Sequence, residues 1–188
     1  LVMAGVVFAA IEFATLGAFD AVWARLLTDQ GASTVFIGGS FTLMATPLVF
    51  LSVKFGRLVD RKGSVLVASF GILAIAPAVV SYGWLNAPLA LGAAGIFHAI
   101  GSSAISPAAA ALVAEGSPPD MIARGQGLLE AVGFLAAAAF ALPTGWAYET
   151  IGRATWFTGI SAASLALFAL GWWLARNRPV LASETVQF

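Results

Sequence analysis

The chain has 188 residues, 60% of them hydrophobic and 10% charged, with nine basic side chains balancing nine acidic ones and a mean hydropathy of +0.94. Too few charged groups are present to coat a water-soluble domain of this length, so lipid is the expected surrounding. Zero net charge offers no basic surface to nucleic acid, and the lack of cysteine excludes disulfides, thiolate metal sites and thiol nucleophiles.

A hydrocarbon layer about 30 Å thick is crossed by roughly 20 helical residues, and apolar runs of that length recur along the chain. Spans are expected at 1–23, 34–53, 64–82, 88–113, 126–148 and 154–174. The expected fold is thus an all-α membrane bundle of six transmembrane helices over 1–176, with a short cytoplasmic tail at 177–188. Barrel strands would alternate apolar and polar residues, whereas Leu89 to Phe97 and Phe134 to Leu142 carry no polar side chain.

The first span opens at Leu1, already inside an apolar run, with neither Met nor a basic segment ahead of it and with Glu12 interrupting it; it reads as an internal start rather than a signal peptide. Glu12 falls near its middle and Asp20 nearer its outer end. Eight positions along a helix amount to about 80° and 12 Å, so the two acids are not expected to form one compact site. Glu12 either lines a polar cavity or hydrogen-bonds a neighbouring helix, and Asp20 reaches the interface, where Arg25 is a local partner.

The second, third, fourth and fifth spans contain Pro47, Pro77, Pro107 and Pro143, each removing a backbone donor and inviting a kink. The fourth is rich in small residues (Gly92, Gly95, Gly101, Ser102, Ser103) and holds His98 near its middle. The fifth has Gly127, Gly133, Ala137 and Ala138, with Glu130 a turn or two inside it. Small side chains let helices approach closely, for static packing or for sliding. A charge at bilayer depth costs roughly 2.5–3.5 kcal/mol on insertion scales, so Glu12, Asp20, His98 and Glu130 are the candidates for a proton or substrate pathway. His98 bonded to a hydroxyl or carbonyl, and Glu130 reaching the aqueous face, are the structural alternatives.

With successive loops assigned to alternate sides, Lys54, Arg57, Arg61, Lys62, Arg124, Arg176 and Arg178 share one side, and Arg25 and Arg153 the other. The positive-inside rule makes the first side cytoplasmic, in a multi-pass protein of the cell membrane, of bacterial cytoplasmic type. Trp23, Trp84, Trp146, Trp156, Trp172 and Trp173 fall near span ends, as an interfacial belt would have them. Catalysis is not expected: the only histidine, His98, shares a helix with Ser102 and Ser103, so no second helix brings an imidazole to a serine, and no metal-ligand spacing is present. No cofactor is expected.

Between the second and third spans stands Gly56-Arg57-Leu58-Val59-Asp60-Arg61-Lys62-Gly63. This resembles the G-x-x-x-D-R-x-G signature between the second and third helices of each half of major facilitator superfamily transporters. Pro107 through Arg124 with Gly125-Gln126-Gly127, and Pro143-Thr144-Gly145 with Tyr148 and Gly152, are similar to the family's fourth-to-fifth and fifth-to-sixth helix regions. Ser64, Val65 and Leu66 stand where basic residues usually follow the first-half signature, and His98 stands where that half often has arginine, so the resemblance is to the C-terminal half.

The resemblance implies one six-helix half, built of two inverted three-helix repeats, of a twelve-helix secondary transporter that moves a small solute by alternating access, proton-coupled export being one form. Gly56, Asp60, Arg61 and Gly63 would be a conformational gate. Its partners would be the solute, protons, the lipid bilayer and a second six-helix half. A non-transporting six-helix scaffold or receptor is the competing expectation. No residue-by-residue repeat between the two halves of the chain is evident at this level.

Overall fold

The structure, a computed structural model, describes residues 1–177 and is helical almost throughout. The elements are α1 (Val2–Asp29), α2 (Thr34–Lys62), α3 (Ser64–Trp84), α4 (Pro88–Gly116), a 3-10 turn (Pro119–Met121), α5 (Ile122–Ala147), a π turn (Tyr148–Gly152) and α6 (Arg153–Arg176). The expected cytoplasmic tail, with Arg178, lies outside the described residues apart from Asn177.

Local chemistry sets the helix ends. Ser33 caps α2, its hydroxyl accepting from the Phe36 amide at 3.2 Å. Pro88 opens α4 at a position where its missing N–H costs nothing. Gly63 (φ 88°) ends α2 and Gly152 (φ 87°) ends the π turn, both in backbone space that L side chains rarely enter.

The expectation of six separate spans is corrected in one respect. Five helical stretches are long and apolar enough to cross a membrane, because Pro119–Arg176 continues without a non-helical break for 58 residues. The π turn keeps the backbone hydrogen-bonded where a loop was expected. At 1.5 Å per residue a straight helix of that length would run about 87 Å, roughly three hydrocarbon thicknesses. It is not straight: Trp156 Nε1 donates to Thr144 Oγ1 at 3.0 Å, so the chain doubles back at Gly152.

Side-chain contacts fix the helix directions. Phe13 meets Gly133 and Phe134, Gly17 meets Ala137 and Arg25 meets Glu149, so α5 runs parallel to α1. Gly83 against Ala154 and the Ser161 hydroxyl on the Ala76 carbonyl make α6 antiparallel to α3. Gly71 lies on Gly101 while Tyr82 reaches His98, which makes α4 antiparallel to α3, as it is to α1 through Gly5–Ala109 and Thr15–His98. The main helix pairs are α1 with α5, α4 with α2, α3 with α4, α6 with α1, α3 with α6 and α1 with α4. Exchanging α1 with α4, α2 with α5 and α3 with α6 maps every one of these pairs onto another or onto itself, with direction inverted.

The core lies along α1, α3 and α4, where Phe8, Trp23, Tyr82, Ile105 and Leu112 are fully enclosed. α2 and α5 flank it and bury little; Val49, Phe50, Leu135 and Leu142 face outward, between 67% and 82% exposed. An outward apolar surface of this extent is rare on monomers in water and is stable in hydrocarbon, so the architecture is that of an all-α protein with several long apolar helices, compatible with multi-pass membrane insertion.

Basic residues segregate by end. Ser64 donates to Glu115, and Lys62, Glu115 and Trp172 surround one cleft, so the C-terminal ends of α2, α4 and α6 lie together with Lys54, Arg57, Arg61, Lys62 and Arg176. At the other end Arg25 donates to Glu149 at 2.6 Å, Tyr148 donates to Asp29 at 2.7 Å, and Arg153 holds the Leu85 carbonyl and Asn86. Trp84, Trp146, Trp172 and Trp173 are exposed near helix ends, but Trp23 is an exception to the expected belt: it is fully buried, packs at a tilt against Phe19 with ring centroids 4.5 Å apart and donates to Ser40.

Candidate functional site

A cavity of about 240 Å³ lies between α1, α2 and α4. Glu12, Asp20, His98 and Ser102 supply its polar groups, and Phe19, Phe41, Met44 and Leu48 are among its apolar walls. Glu12 and Asp20, expected to be separate, thus border the same space. Their angular offset still lets both reach a cavity that runs along α1, with Glu12 enclosed at 7% exposure and Asp20 exposed. Asp20 does not pair with Arg25, whose guanidinium is taken by Glu149 and, more loosely, by Asp29.

Among the described residues Glu12 makes no side-chain bond to a neighbouring helix: its Oε2 is enclosed and receives no donor, and Ser102 Oγ is likewise enclosed and unpartnered. Leaving such groups unmatched costs about 1–3 kcal/mol each, more for a charge. Glu130 sits exposed on α5, close enough for its charge to act on Glu12, but it does not line the cavity.

His98 has both ring nitrogens occupied. Thr15 Oγ1 gives its one proton to the Glu12 carbonyl at 2.8 Å, so towards His98 Nε2, 3.3 Å away, it acts only as acceptor. Nε2 therefore carries the hydrogen, and in the neutral ring Nδ1 accepts from the Tyr82 hydroxyl at 3.0 Å. The chain Tyr82 to His98 to Thr15 to Glu12 backbone ties α3, α4 and α1 together. The imidazole is held by hydroxyls, the structural alternative for this residue.

The G-x-x-x-D-R-x-G segment is not a loop over most of its length. α2 runs through Lys62, so Gly56, Asp60 and Arg61 ride its last two turns and Gly63 alone makes the turn. Hydropathy marked the end of the apolar stretch, and the helix continues past it because the basic last turn, Arg61 and Lys62, suits a helix C-terminus. Asp60 and Arg61 are exposed and make no ion pair within the described residues; no group comes within 4 Å of where a Gly56 side chain would begin. Pro47, Pro77, Pro107 and Pro143 all lie inside helices.

One repeat escaped sequence inspection. Gly145, Glu149 and Gly152 reproduce the spacing of Gly56, Asp60 and Gly63, and each set ends on a glycine of nearly identical φ and ψ, 88° and 147° against 87° and 142°. The signal was the paired glycines flanking an acid; the intervening residues, Arg57 to Val59 and Trp146 to Tyr148, differ too much in character for the match to stand out. In the second set the acid is engaged, by Arg25.

No known family model matches the sequence, and no curated protein is detectably similar to it.

Proposed function

We propose that the chain is one six-helix half of a secondary transporter of the major facilitator type, moving a small solute across a membrane by alternating access, with protons as the coupling ion. The inverted relation of α1–α3 to α4–α6 is the observation that carries this reading, since inverted repeats around a mid-membrane site are a common construction of transporters. In this reading the 58-residue stretch, which reverses at Gly152, crosses the membrane twice, as α5 and as α6. Glu12 supports it further: an enclosed carboxylate facing a cavity is stable with a proton on it or a cation beside it, and exchanging one for the other is the elementary step of coupling. Asp60 and Arg61, unpaired at one end, act in this reading as a gate contacting the second half of the transporter. Export, and the basic end as the cytoplasmic end, belong to the same proposal.

Alternating access is testable without knowing the solute, because this chain has no native cysteine and any in the second half can be replaced beforehand. In full-length protein carrying Ala45→Cys on the cavity wall, a membrane-impermeant thiol reagent is expected to label from either face of the membrane in separate preparations. Labelling confined to one face would favour a receptor or static scaffold instead.

A further inference from the structure

We propose that the cavity between α1, α2 and α4 binds an apolar organic monocation, a protonated amine or quaternary ammonium on an aromatic or branched hydrocarbon body, with Glu12 as its counter-ion. The transporter reading makes this cation the cargo; the binding itself does not depend on that reading. Three features of the cavity converge on this class. Its wall bears two carboxylates, Glu12 within and Asp20 at an exposed edge, and no lysine or arginine. Glu12 stands on this wall with no donor on its enclosed Oε2, so its carboxylate is not already compensated within the described residues and a cation in the cavity meets complementary charge, whereas an anion meets repulsion. The remaining wall is hydrocarbon and aromatic: Phe19 and Phe41 stand edge to face at 6.4 Å, and an ammonium close to an aromatic face gains cation–π attraction.

Metal coordination does not suit this set of donors. Both nitrogens of His98 are engaged by hydroxyls, and among the described residues no three His, Cys, Asp or Glu side chains converge. A bulky ammonium, which needs one counter-charge and an apolar enclosure rather than several ligands, matches what is present.

Benzyltrimethylammonium, its uncharged carbon isostere neopentylbenzene and the anion benzenesulfonate form a probe set of matched size. Equilibrium dialysis of each against the full chain in lipid nanodiscs, with empty nanodiscs subtracted, is expected to show saturable binding of the cation alone. Glu12→Gln should weaken cation binding roughly 30-fold or more, Asp20→Asn only a few-fold, and Gly127→Ala, on open surface, not at all. Preference for benzenesulfonate, equal binding of the cation and its isostere, or full cation affinity in a folded Glu12→Gln protein would overturn the proposal. Because the probe comparison is made on the unaltered chain, misfolding of the variant does not remove the test. Cation binding together with one-sided labelling of Ala45→Cys would overturn the transporter reading and leave the site; two-sided labelling without cation binding would do the reverse.

Discussion

Gly17→Leu is expected to disrupt the bundle. A Cβ at this position would stand 2.3 Å from the Ala137 carbonyl oxygen and 2.7 Å from its Cα, so the obstacle is the Ala137 backbone and no rotamer change relieves it. Overpacking typically costs about 1–3 kcal/mol and occasionally more; with two long helices forced apart, the upper end applies. Detergent-solubilised Gly17→Leu protein should melt well below the parent or lose its monodisperse elution profile. Gly127→Leu, where nothing lies within 4 Å, should stay within about 0.5 kcal/mol of the parent. Equal stability of the two variants would mean that α1 and α5 do not pack as described.

The second large effect is expected at the hydroxyl–imidazole chain. Tyr82→Phe keeps the buried ring, which packs on Phe19, Trp23 and Phe157, but withdraws the donor from His98 Nδ1. An enclosed acceptor without a donor costs about 1–3 kcal/mol. Thermal or denaturant melts of the purified protein should show that loss. Thr15→Val, which leaves the Nε2 hydrogen without an acceptor, should show a comparable one. Unchanged stability in both would dismiss the structural role of His98 and return it to the proton pathway.

How much of this was legible beforehand differs by residue. Hydropathy located every helix start to within a few positions, because Ser33, Gly63 and Pro88 are strong boundary signals that also begin apolar runs. It placed the ends of α1 and α2 too early, since helices there continue as polar, hydrogen-bonded turns beyond the apolar stretch. It also supplied a loop between α5 and α6 where a π turn carries the helix to Gly152. Composition flagged Glu12, Asp20 and His98 as costly at depth, but which of them face the same cavity depends on the positions of α2 and α4, information that no single-helix geometry holds. His98 shows the limit most clearly: its donors and acceptors come from Thr15 on α1 and Tyr82 on α3, far away in sequence. The Trp23 burial follows the same logic, as the partner that draws its indole inward, Ser40, belongs to another helix.

The account rests on helices that traverse lipid with the α2–α3 turn and the π turn at opposite faces. Single-cysteine proteins Asp60→Cys and Thr150→Cys, both at exposed positions, test this in sealed membrane vesicles with a membrane-impermeant thiol reagent. The expected result is that each is labelled from one face only, and that the two faces differ. Labelling of both from the same face would contradict the arrangement of the bundle in the membrane.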